Sequence, residues 1–217
     1  MSPTNPPDQA ALHPLLAPAD STHRFAPETL NTAQLVRLIE AARWTPSKWN
    51  RQPWRFILGC RGDATFSLLR TALNPINQDR SLRAAALLLA LAQTTDPHGV
   101  PMPGTEYELG MAVGRMCVQA RAQGWQCRQF GGFDHQRLRL ELGVPAGFEP
   151  IVVLAVGGSW PPGPGGQTGA GTSRGDDPDH RPVADGVPGD RTENATRLAP
   201  EAIAFARRWG RPAWTSS

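Results

Sequence analysis

The stretch AARWTPSKWNRQPWRF (residues 41–56) constrains the chain more than any other, because helix, loop and strand must follow one another within it. Upstream, Leu35, Leu38, Ile39 and Ala42 recur at helical spacing behind Thr32, which reads as the N-cap. Pro46 forbids continuation, since it lacks an N–H and its ring clashes with the preceding turn. Downstream, Trp54–Leu58 is short, aromatic and β-branched and lies between Pro53 and Gly59, the pattern of a strand. Between them Ser47, Lys48, Asn50 and Gln52 sit on a loop gripped by two rigid elements, flanked by Trp44, Trp49 and Trp54. Polar donors held this way suit a planar, heteroatom-rich ligand walled by aromatics. A plain helix-to-strand turn with capping side chains accounts for the same residues equally well.

Helices and strands alternate through the rest of the compact region, residues 12–157. Asp63 caps a helix reaching Leu73, and Leu109, Ala112, Val113, Met116, Cys117 and Ala120 stripe a helix over 106–123, closed by Gly124. Residues 126–130 read as a short strand, Asp134 caps a helix to Leu142, and Ile151–Val156 is a buried strand. The run AAALLLALA (84–92) is ambiguous. It lacks β-branched residues and favours helix by propensity, while its length and position fit an inner strand. Gly131-Gly132 lets backbone N–H groups approach a ligand without Cβ interference, or simply turns the chain into the helix that Asp134 caps. The mixture gives an α+β or α/β domain. Residues 1–11 are expected to form a loose N-terminal arm. Sixteen of the 34 residues in 157–190 are Gly or Pro, so 158–190 is expected to be a flexible loop, and 191–217 a returning tail.

Composition removes several function classes. Hydrophobic residues make up 40% and the net charge is +3, enough for one core and too balanced for wholesale disorder. No apolar run approaches the roughly 18 residues that span a membrane, and the N-terminus lacks a signal-peptide pattern, so a cytoplasmic location without membrane attachment is expected. Cys60, Cys117 and Cys127 form no CxxC and read as buried free thiols, with no metal site. Lys48 is the only lysine, and the arginines are scattered instead of clustered, against nucleic-acid binding.

Taken in order, these segments resemble the nitroreductase family of flavin-dependent oxidoreductases. The family pattern AARxAPSxxNxQPWxF stands here as AARWTPSKWNRQPWRF. The small-residue stripe of YELGMAVGRMCVQARAQGW (107–125), the turn Gly132-Phe133-Asp134, LGVPAGFEPIVVLAVG (142–157) and the opening HPLLAPADSTHRFAP (13–27) follow in family order. The resemblance implies a largely antiparallel mixed sheet wrapped by helices, with 84–92 as a core strand. It also implies an intertwined homodimer that binds FMN at the subunit interface, and a C-terminal tail that packs on the partner. It carries cofactor contacts to Pro46, Ser47, Lys48, Asn50 and Gln52, and to Gly131 and Gly132 at the ring's N5–O4 edge. Lys48 stands where the family often has Ser and reads either as a cation beside the ring or, in better accord with its length and charge, as a solvated surface group.

The phosphate positions depart from the family. Ala19 and His23 occupy the two N-terminal arginine positions, Ser21 is kept, and His180 replaces the late arginine. Arg24 and Arg181 lie one residue beyond the expected places. With a charged hydrogen bond contributing about 1.5–3 kcal/mol, FMN is expected to bind ~10- to 1,000-fold more weakly. Binding is expected to be tighter near ~pH 6 than ~pH 8, because an anion favours protonated histidine. The implied activity is hydride transfer from NAD(P)H through FMN to a small electrophile such as a nitroaromatic, quinone or activated alkene. No catalytic acid or base is assigned, and Tyr107 and Glu108 read as substrate-side or plain surface residues. Two alternatives stand beside it: a flavin-dependent oxidase of a small or cyclic-peptide metabolite, and a non-catalytic flavin-binding partner subunit.

Overall fold

The structure, a computed structural model, describes residues 24–159 and 196–214 together with His13, Leu15 and Leu16. Helix α1 (Thr32–Arg43) starts one residue earlier than the pattern implies, with Asn31 and not Thr32 as its cap. Asn31 Oδ1 accepts the Gln34 N–H and Gln34 Oε1 accepts the Asn31 N–H, both at 2.9 Å. This reciprocal capping box satisfies two otherwise orphaned donors. Strand β1 (Trp54–Cys60) leads through a turn into α2 (Ala64–Ala72), whose cap Asp63 accepts from both Phe66 N–H and Cys60 N–H. A helix that the periodicity gave no hint of follows, α3 (Pro75–Ser81). Its one large apolar residue, Ile76, is exposed. It is specified by its start alone, with Asn74 as cap and Pro75 at the first helical position.

Strand β2 (Ala86–Gln93) settles the ambiguity of 84–92 in favour of sheet. Its residues are helix formers, but it is the middle strand of five and Ala86–Ala92 are buried on both faces. Tertiary burial of a continuous apolar run overrides propensity there. Helix α4 (Thr105–Ala122), strand β3 (Gln126–Phe130), helix α5 (His135–Leu142) and strand β4 (Phe148–Gly157) complete the main domain. A short helix α6 (Pro200–Ile203) and strand β5 (Ala204–Ala206) follow near the C-terminus. The sheet order is β3-β4-β2-β1-β5, antiparallel except for β1 with β5. This is the mixed, largely antiparallel α+β sheet that the family resemblance implies. In this chain β5 pairs with its own β1, Phe56 opposite Ala204 and Leu58 opposite Ala206.

The strands divide their side chains between two cores. Leu35, Leu38, Ile39 and Ala42 of α1 and Leu109, Ala112, Val113 and Met116 of α4 pack on Trp54, Phe56, Leu58, Ala86, Leu88 and Ala90. Phe66 and Leu69 of α2 and Leu138 and Leu142 of α5 pack on Ile57, Leu87, Leu89, Leu91, Val153 and Ala155 of the other face. The period-2 alternation therefore puts α1 and α4 on one side of the sheet and α2 and α5 on the other. The three cysteines, read as buried from sequence, are free but only half-buried. No helix among the described residues is long and apolar enough to cross a membrane.

The α2 face comes close enough to β1 to need a glycine. A Cβ at Gly59 would lie 2.7 Å from Phe66 Cα and Thr65 C, both backbone atoms that cannot swing away. Gly59→Ala is expected to cost about 1–3 kcal/mol through overpacking, read as a lower urea midpoint with an unchanged slope.

Candidate active site

The loop between α1 and β1 is strained and tied down. Trp49, Asn50 and Gln52 have φ of 54°, 53° and 50°, in the left-handed region, which costs roughly 1–3 kcal/mol per non-glycine residue. Four hydrogen bonds hold it there. Ser47 Oγ accepts the Gln52 N–H at 2.9 Å, and Ser47 O accepts the Asn50 N–H at 3.0 Å. Glu108, in the first turn of α4, accepts the Lys48 N–H at 2.5 Å. Arg55 Nη1 donates to the Gln52 carbonyl at 2.9 Å. Burial pulls the Arg55 pKa down to about 10, so it stays charged at neutral pH. Pro46, Lys48 and Trp49 are exposed.

Asn50 and Gln52, both read as cofactor contacts, are engaged by the C-terminal segment. Asn50 Nδ2 donates to Thr196 O and its Oδ1 accepts from Arg197 Nη1, both at 2.7 Å. Gln52 is buried; its Nε2 donates to Asn50 O (3.2 Å) and Thr196 O (3.4 Å), and its Oε1 accepts the Leu198 N–H (2.8 Å). Gln52 is thus a structural clamp. Arg197, which also lies over the Trp44 ring at 5.4 Å, puts a cation on this loop that sequence reading missed. Nothing in its local pattern marks it, because only tertiary packing brings position 197 to position 50.

Gly131 and Gly132 leave β3 and meet the α2–α3 junction. Gly132 O accepts the Asn74 N–H at 3.1 Å, and the Asp134 N–H donates to Ala72 O at 2.8 Å. A Cβ on Gly132 would stand 2.6 Å from Asn74 Nδ2, while one on Gly131 would meet nothing within 4 Å. Both glycines are exposed, and neither N–H has an acceptor among the described residues. Asn74 and Asn77 therefore join the glycines as candidate site residues; the Asn74-Pro75 helix start was the available signal for the first of them. Beyond the turn, Phe133 stacks on His135 with ring centroids 4.0 Å apart.

The two segments are not brought together within one chain. The 44–53 loop belongs to the α1/α4 face through Glu108, and the glycine turn belongs to the α2/α5 face through Ala72 and Asn74. Of the expected phosphate contacts, Ser21, His23, His180 and Arg181 lie outside the described residues, as do the 1–11 arm and the 160–190 part of the Gly/Pro-rich stretch. Arg24 is exposed beside the buried Phe25. Gln52→Ala removes three side-chain hydrogen bonds and leaves the Leu198 N–H without its acceptor. The expected outcome is a stability loss of about 1–3 kcal/mol, together with faster tryptic cleavage after Arg197 in the native protein.

Comparison with known proteins identifies the family. The Nitroreductase family model matches residues 19–70 and 60–158. The 5,6-dimethylbenzimidazole synthase of Rhodospirillum rubrum is 29% identical over 161 residues, covering 63% of this chain and 75% of that enzyme. The crystal structure of an oxidoreductase containing FMN superposes with a TM-score of 0.66 at 25% identity, covering 70% of this chain and 79% of that one. A nitroreductase family protein from Clostridium novyi NT shares the fold, with a TM-score of 0.65 at 14% identity over 92% of this chain and 94% of its own. With the family model spanning well over half of its length, the chain belongs to the nitroreductase family of oxidoreductases.

Proposed function

We propose that the protein binds FMN and transfers hydride from NAD(P)H to a small electrophile, a nitroaromatic, quinone or activated alkene, in sites completed by a second copy of the chain. The observation that carries this reading is the glycine turn: two N–H groups without acceptors among the described residues and an Asn74 amide, with no Cβ between them. These donors fit the acceptor-rich edge of an isoalloxazine ring, and the missing Cβ atoms fit its flatness. When bound, FMN supplies a two-electron hydride carrier whose reduced ring bears negative charge at one edge. Gly131 and Gly132 N–H and Asn74 Nδ2 would hold the ring's polar edge. Pro46, Ser47, Lys48 and Asn50 of the second copy would face it, on the loop that Gln52 clamps, and Arg197 would bring a cation to that loop. Ser21, His23, Arg24, His180 and Arg181 are the candidates for the phosphate. Since a hydride moves between rings already held in place, the chain's own work is positioning and water exclusion, and it needs no side-chain acid or base in the first half-reaction.

The separation of the two segments on opposite faces of one sheet supports the second copy in this reading. The family's homodimer supports the same reading.

Purified full-length protein with added FMN is expected to consume NADPH when menadione or nitrofurazone is supplied. No turnover with any acceptor despite bound flavin defeats the proposal. Gly132→Ala, which drives a methyl into the Asn74 amide, is expected to weaken FMN by ~10-fold or more, about 1.4 kcal/mol, in a flavin fluorescence titration. Co-expressing Gly132→Ala with Asn50→Ala chains tests the shared site. Mixed dimers then hold one doubly altered and one intact site, so about a quarter of all sites recover wild-type affinity. Sites built within one chain recover none.

A further inference from the structure

Cys117 and Cys127 take no part in the flavin reading, and the fold places them against each other. Cys127 lies on β3 opposite Val156, and Gln129, two residues on, lies opposite Leu154. Val156 and Leu154 both belong to the core under α1 and α4, so Cys127 and Gln129 point toward α4. Cys117 on α4 meets that strand: Gln129 Nε2 is 3.9 Å from its sulfur. Both cysteines pack on the same core cluster, half-buried and free. The neighbouring Cys127 thiol, with Gln129 and the Arg121 charge, shifts Cys117 below the usual thiol value against the opposing push of burial. The Cys117 contact and burial hold Cys127 above it. Of the two sulfurs, Cys117 therefore gives up its proton more readily.

We infer that Cys117 and Cys127 form a reversible intrachain disulfide site that responds to hydroperoxides. The Cys117 thiolate attacks one peroxide oxygen, the O–O bond breaks, and the departing hydroxide takes a proton to become water. The sulfenic acid left on Cys117 is attacked by Cys127 sulfur, which loses its proton as the S–S bond forms and the sulfenic oxygen departs as a second water. In sum two thiols and one hydrogen peroxide give one disulfide and two waters, the sulfurs losing two electrons and the peroxide gaining them. Cys60 is excluded by geometry as a partner for Cys127. It sits in the same row of the sheet as Cys127, through Ala86 and Val156, three strand spacings away. That is roughly 14 Å, about twice the reach of a disulfide.

The site is tested on the reduced full-length protein treated with hydrogen peroxide and digested without reductant. Trypsin separates Cys117 into residues 116–121 and Cys127 into residues 122–128. The expected product is these two peptides joined, lost on addition of dithiothreitol, with two of the three thiols no longer titratable. In Cys127→Ser, Cys117 is expected to stop at a sulfenic acid that dimedone traps. In Cys117→Ser, Cys127 is expected to stay reduced. Linkage to Cys60 or between chains, irreversible over-oxidation of Cys117 with no joined peptide, or three thiols still titratable in the treated wild-type protein would each overturn the inference. These readings use no flavin turnover and stand apart from the proposed function.

Discussion

Trp49, Asn50 and Gln52 hold left-handed backbone within four residues, and the hydrogen bonds that keep them there connect the rest of the molecule. Strain of a few kcal/mol relaxes unless the surroundings over-determine the conformation. Here they do: α4 contributes Glu108, β1 contributes Arg55, and the buried Gln52 amide ties the C-terminal segment through Thr196 and Leu198. Each tie comes from a different element. The loop can then present Pro46, Lys48 and Trp49 to solvent in one fixed geometry, where a relaxed loop would fold over its own polar groups.

The sheet decides how much of a site one chain can build. Because β2 is buried on both faces, each flanking helix pair needs its own side, and the two candidate segments follow their helices to opposite faces. Half a site on each face can serve a planar cofactor only if a second surface meets it. The start of the loop, Trp44 and Pro46, lines an open groove of about 550 Å³ with Met111, Gly114, Arg115 and Val118 of α4, on the face away from the glycine turn.

Sequence periodicity reports what is local and amphipathic. Leu35 to Ala42, the strand at Trp54 and the Asp63 and Asp134 caps stand where pattern and capping chemistry put them. The Asn31 cap was missed because Asn31 and Thr32 are both good cap residues, and the Gln34 that completes the capping box chooses between them. Strand β2 was legible as strand only through the family resemblance, since Ala and Leu carry helical propensity and burial is not local. Helix α3 has no apolar stripe to detect. Of the site, the loop and the glycine pair were legible as segments, but the clamping role of Gln52 and the approach of Arg197 depend on contacts across about 145 residues of chain. No spacing rule encodes those.

The glycine turn also has a definite polarity. Asn74 Oδ1 accepts the Asn77 N–H at 2.9 Å as cap of α3, which fixes the amide's orientation and leaves Nδ2 as its outward group. The Gly132 carbonyl is taken by the Asn74 N–H, and Asp134 caps α5 by accepting from Arg137 N–H. Three acceptors at the turn are therefore engaged within the fold, while two glycine N–H groups and one amide NH2 have no acceptor among the described residues. A surface of donors stabilises a ligand edge of carbonyl oxygens and unprotonated ring nitrogens, and it leaves donors facing donors when an amine or ammonium approaches. Because the caps of α3 and α5 set this polarity, the donor character of the turn is built into the helices.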